Sequence, residues 1–118
     1  MKLWNSIIKE LELTMHTPPE VLRRQIQGAF CGDLLSNVLA GAAPGDLWIT
    51  IHRHRNIIAV AALVNLSGVI ITGARPPDPD TLGAAGDENI PLFTSPLSNF
   101  EASGRLYTIL KKFEAEVK

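Results

Sequence analysis

The 118 residues predict an α/β protein, a three-layer α/β/α sandwich built on a mostly parallel central sheet. Three observations lead there. From about residue 47 onward, short runs rich in β-branched residues alternate with helical patterns, an order that produces parallel pairing through right-handed crossovers with helices on both faces. One of those runs, GVIIT at 68–72, is almost wholly apolar, as strands buried on both faces are. The third is the punctuation: Pro44-Gly45 marks a turn, and ARPPDPD, with three prolines, can only be a loop.

The elements follow in order. Leu3, Ile7, Ile8 and Leu11 recur at helical spacing, so a short amphipathic helix is expected over Lys2–Glu10. Leu11, Leu13 and Met15 then alternate with polar residues until Pro18-Pro19, the pattern of a first strand. Val21–Ala29 is expected to form a second, ending at Gly28. The orientation of these two relative to the rest, and the strand order, stay open. Asp33 stands at the start of a helix carrying Leu34, Leu35, Val38 and Leu39 and stopped by Gly41. Leu47–Ile51 reads as a strand and Ile57–Leu66 as a buried helix too short to span a bilayer. Pro79 opens a helix weakened by Gly83 and Gly86, and Pro91–Thr94 is the last strand. Ser98 caps or precedes a long terminal helix whose Phe100, Leu106, Tyr107, Leu110 and Phe113 should form one apolar stripe. No repeat or linker interrupts residues 1–118, and one domain is expected.

Bulk composition narrows the partners. Eleven basic and 12 acidic side chains give a net charge of −1, which is no footprint for nucleic acid or an anionic membrane surface, so neither is expected. The single cysteine, Cys31, rules out an internal disulfide and suits a reducing compartment. The first 16 residues lack the apolar stretch and cleavage site of a signal peptide, and a cytoplasmic location is expected.

In a parallel sheet every strand finishes on the same side, and ligands bind in the crevice beyond those carboxyl ends. The positions following the strands are polar and small against an apolar background. Gly28, Asp33, Thr50, His52, His54, Asn56, Thr72, Gly73, Arg75, Thr94 and Ser98 are therefore the candidate ligand-binding residues, with His52, His54 and Arg75 as the positive groups. Simpler roles compete with this one: capping for Asp33 and Ser98, and a positive φ for Gly73. His52 and His54 lie two apart on an extended segment and point the same way, yet no third ligand stands at a recognised zinc spacing, so no metal site is expected. Cys31 could pair with a histidine as nucleophile and base, but beside an apolar helix it is expected to pack. There is no GxxxxGK[ST] and no GxGxxG after a strand. Trp48 is expected in the core, whereas Trp4 is open between core and interface.

The ordered segments CGDLLSNVLAGAAPGDLWITIHRHRNIIAVAAL, GVIITGARPPD and IPLFTSPLSNFEASGRLY resemble the DRTGG domain family over about residues 21–107. Gly28 and Asp33 are kept in QIQGAFCGDLLS, while Gln27 and Ala29 stand where the family often has threonine and glycine. The resemblance implies a fold similar to the N-terminal domain of HPr kinase/phosphorylase, without the separate P-loop domain that carries the kinase chemistry. It also implies a regulatory or dimerising unit of the kind found beside CBS domains in regulatory pyrophosphatases. The expectation is a non-catalytic, homodimeric module that requires no cofactor and binds a nucleotide-like or other small anionic ligand at the sheet edge. The alternative is a docking or dimerisation module for a partner enzyme, with no small ligand.

Overall fold

The computed structural model of the chain describes residues 2–22 and 25–117. Five strands form one sheet in the order β1-β5-β4-β3-β2. β2 (Gly28–Cys31), β3 (Asp46–Thr50), β4 (Gly68–Ile71) and β5 (Leu92–Thr94) are parallel, and β1 (Thr14–Met15) adds antiparallel to β5. Helices α2 (Leu35–Gly41), α3 (Asn56–Val64) and α4 (Pro79–Glu88) connect the parallel strands, while α1 (Lys2–Glu10) and α5 (Asn99–Val117) cover the opposite face. This is the three-layer arrangement that the alternating patterns predict.

Strand periodicity divides the core in two. Trp48, Val69, Ile71 and Leu92 point toward α2, α3 and α4, while Leu47, Ile49, Ile70 and Phe93 point toward α1 and α5. All eight are buried; side chains of this size contribute about 1.5–3 kcal/mol each when removed from water. β4 is buried at every position, which is why its sequence carries no polar alternation. Trp4 belongs to the core and not to an interface, since it stacks on Phe93 with ring centroids 5.5 Å apart. α3 and α4 both end on an asparagine in the left-handed region, Asn65 at φ 62° and Asn89 at φ 54°. The backbone N–H of each returns to carbonyls of the last turn.

Four expectations need correction. The second strand does not occupy 21–29: a 3-10 turn covers Pro19–Val21, residues 23–24 lie outside the described residues, and the strand begins at Gly28 where it was expected to end. Arginines and glutamines there supplied no real alternation. Asp33 does not cap α2, because the preceding residue to the helix is Leu34 and the Asp33 carboxylate is drawn across to β3. The α5 stripe is narrower than its sequence suggests: Leu106 is buried, but Phe100 and Tyr107 are 88% and 65% exposed. Cys31 is exposed on the edge strand β2, and so it is not a packing residue.

Candidate functional site

The carboxyl ends of β2, β3 and β4 lie side by side, since Cys31 pairs with Ile49 and Thr50 with Ile71. Just beyond them the chain assembles a hydrogen-bonded cluster from four separate segments. Asp33 Oδ1 accepts from the Thr50 hydroxyl and from the Ile51 backbone N–H, each at 2.8 Å. Asp33 Oδ2 accepts from Asn99 Nδ2 at 3.2 Å, and the Thr72 hydroxyl donates to Asn99 Oδ1. His52 closes the cluster: its backbone N–H donates to the Thr50 hydroxyl at 3.2 Å and its ring Nε2 bonds the Asp33 carbonyl oxygen. A carbonyl oxygen only accepts, so Nε2 carries the hydrogen of this bond.

The cluster explains why polar side chains sit at the end of an apolar strand. Thr50 and Thr72 are completely buried, and a hydroxyl buried without a partner costs about 1–3 kcal/mol. Here each has one. Outside the cluster the rim is basic. His54 and Arg55 are exposed, with the His54 ring 5.1 Å from that of His52, and Arg75 is exposed on the loop after β4. Arg53 is held differently: it faces Asp78 at 3.6 Å, while its carbonyl accepts from Asp78 N–H and the Thr81 hydroxyl. That tie anchors the proline-rich loop. Gly73 at φ 82° is followed by Ala74 at φ 56°, and their N–H groups bond Leu97 O and Ser95 O. The first conformation favours glycine, and the second is uncommon for alanine.

Of the predicted site residues, Asp33, Thr50, His52 and Thr72 meet in the cluster, and His54, Gly73 and Arg75 lie on the loops around it. Asn56 is the exposed first residue of α3. Three others have different places. Gly28 pairs with Asp46 at the start of the strands, so it lies at the opposite edge of the sheet. Thr94 ends β5 but directs its hydroxyl to His16, at 2.8 Å. Ser98 caps α5, accepting from Glu101 N–H at 3.2 Å. Sequence reasoning missed Asn99, the bridge between Asp33 and Thr72. Next to Ser98 it looked like part of a cap, and nothing local links it to a residue 66 positions away.

A structure of the CBS and DRTGG domains of the regulatory region of Clostridium perfringens pyrophosphatase, complexed with the activator diadenosine tetraphosphate, superposes with a TM-score of 0.69. The sequences are 22% identical, and the match covers 86% of this chain and 44% of that one. The fold is shared with part of that regulatory region. This chain thus spans less than half the length of that neighbour. No protein-family model and no curated protein matches the sequence.

Among the described residues, no three His, Cys, Asp or Glu side chains are grouped to hold a metal ion, and no helix is long and apolar enough to cross a membrane. Two open grooves lie elsewhere. One of about 740 Å3 runs between α1 and α5, past Leu3, Phe100 and Phe113. The other, about 670 Å3, lies between β2 and α5 and is lined by Ile26, Cys31, Tyr107 and Leu110. The Asp33 cluster borders neither.

Proposed function

We propose that this chain is a non-catalytic regulatory module of DRTGG type that binds a small anionic, nucleotide-like ligand at the carboxyl edge of its sheet. The observation that carries the reading is the combination of the fixed Asp33–Thr50–His52–Asn99–Thr72 cluster with a basic rim. The cluster satisfies the polar groups of the scaffold internally, and the exposed His54, Arg55 and Arg75 are left to meet an incoming anion. The amino end of α3, immediately after Arg55, adds the positive end of a helix dipole to the same rim. The Asp33 carboxylate keeps its negative charge, but its oxygens accept from Thr50, Ile51 and Asn99 within the cluster, and the cations of the rim have to outweigh it. The activator bound by the pyrophosphatase regulatory region is of the same chemical class. The module belongs in this reading to a cytoplasmic homodimer acting on a partner enzyme.

Thermal unfolding of the chain with AMP, ATP, diadenosine tetraphosphate and inorganic phosphate tests the proposal. A ligand present at 100 times its Kd stabilises by about 2.7 kcal/mol, enough to raise Tm by several degrees. His54→Ala, Arg55→Ala and Arg75→Ala should each reduce the shift without altering the Tm of the free protein. Unchanged melting with all four compounds would remove the ligand reading and leave the partner-docking alternative.

A further inference from the structure

The two edges of the sheet are built differently. β1 is two residues long, and its chain runs into Pro18-Pro19, which have no N–H to give to a further strand. β2 has no such guard. Gly28–Cys31 contains no proline, charge or positive φ, its register with β3 is unbroken, and among the described residues no strand lies on its other side. Gly32 N–H donates to Ile49 O, so by the alternation of a parallel ladder Phe30 also faces β3, while Ala29 and Cys31 turn their N–H and C=O groups away from the sheet. Both residues are exposed, and their side chains lie on the α5 side beside Leu47 and Ile49. Phe30 points the other way and packs against the core next to Trp48, which holds the strand in place.

The groove of about 670 Å3 runs along this edge, with Ala29 and Cys31 on one wall and Tyr107, Leu110 and Phe113 of α5 on the other. Those α5 residues belong to the apolar stripe of the terminal helix, and the core leaves them wholly or partly uncovered. An occupant has to meet two demands at once: backbone donors and acceptors at strand spacing, and apolar bulk on one face. We propose that an extended segment of a partner protein adds to β2 as a sixth strand, with large apolar side chains at alternate positions lowered into the groove. The N–H and C=O groups of Ala29 and Cys31 give direction and register but are too few to hold a partner alone. Side chains in the groove supply the rest, which is why their size is selected.

Shape separates this occupant from a second copy of the chain. A copy pairing through its own β2 would bring Ala29 and Cys31 to the groove, side chains too small to fill it, and its Phe30 is committed to its own core. Charge separates it from a charged segment. Ile26, Ala29, Cys31, Tyr107 and Leu110 carry no charge in the groove, and the two ions at its lip, Lys111 and Glu114, lie 3.9 Å apart and offset each other. A strand with charges on its groove side would meet no counter-ion there, whereas its outer side is free to be polar. The surface is independent of the anion site, since the Asp33 cluster does not border this groove.

A displayed library of random peptides about nine residues long, selected on the full chain in reductant, supplies the probe; synthesised hits are measured by fluorescence anisotropy and located by amide hydrogen exchange. The expected hits alternate large apolar with polar residues and slow the exchange of the Ala29 and Cys31 amides. Ala29→Pro removes an outward N–H and no bond to β3, and Cys31→Lys puts a charge on the groove wall; each should weaken binding at least about tenfold. N-methylation of alternate amides of a hit should abolish binding in one register and spare it in the other, a readout that needs no variant to fold. A library without hits overturns the proposal, as do hits that bind both variants like the parent or tolerate both methylation registers. A dimer of the parent that Ala29→Pro dissociates assigns the edge to a second copy and overturns it too. Anion-induced thermal shifts measured on Ala29→Pro keep this outcome separate from that of the ligand reading.

Discussion

Asp33 Oδ1 lies 2.8 Å from the Thr50 hydroxyl, so a residue just past the first parallel strand fixes the end of the next one. The same oxygen takes the Ile51 N–H, which gives the chain its direction as it leaves β3 toward His52. The basic rim therefore depends on a carboxylate that is not itself part of it.

Replacing that carboxylate should be costly for stability. Asp33→Ala leaves the buried Thr50 hydroxyl and the Ile51 N–H without their acceptor and is expected to destabilise by about 2–4 kcal/mol in urea denaturation. Asp33→Asn keeps one acceptor oxygen but sets an amide nitrogen against Asn99 Nδ2. It should fall between the parent and the alanine variant.

Asp33 and Thr72 do not bond each other, yet Asn99 bonds both. Their effects should consequently be coupled. Thr72→Val, which keeps the shape and removes the hydroxyl, should cost about 1–2 kcal/mol. In a double-mutant cycle with Asp33→Ala the two costs should fall short of additive by about 0.5 kcal/mol or more. Full additivity would mean that the asparagine does not transmit the interaction.

His16 is partly desolvated beside Thr94, which lowers its pKa from the ordinary 6.5. The folded state then binds the proton less readily than the unfolded chain does. The stability linked to His16 is complete above about pH 6.5 and is lost as pH falls through the lowered folded value. The effect is small because the ring is largely exposed. Melting curves between about pH 5 and 8 should show a shallow decline on the acid side that His16→Gln reduces, and an NMR titration should place this histidine below its unfolded-state midpoint.

Ala74 adopts φ 56°, a region that costs an L-residue roughly 1 kcal/mol. Ala74→Gly should therefore leave Tm unchanged or raise it, against the usual direction for a glycine substitution. Gly73→Ala, at φ 82°, should lower it by the equivalent of about 1–2 kcal/mol.

The layered fold was legible because β4 and α3 announce burial in unbroken apolar runs, and Pro44-Gly45 and the proline loop mark where the chain turns. The opening third was less so. β1 is two residues long, and the alternation of Leu11, Leu13 and Met15 extends beyond the ladder that forms, since Leu11 closes the end of α1 with its N–H on Ile7 O. β2 lacked the alternation that marks a strand because all of Ala29, Phe30 and Cys31 are apolar although Ala29 and Cys31 on this edge strand are exposed. At the site, Thr50, His52 and Thr72 could be placed from the rule that strand ends converge. Asn99 could not, because its role is set by residues far away in sequence, and Gly28 was misplaced along with the strand boundary.

The pairing of β1 with β5 has a temporal consequence. Thr14 meets Thr94 in register, so the first strand made is the last that can be seated. On a growing chain it must wait until residues 92–94 exist, while β2, β3 and β4 can already associate through their crossover helices. Loop closure over that span comes late on the folding route. Substitutions at Thr14 or Met15 should accordingly quicken unfolding and leave the refolding rate nearly untouched.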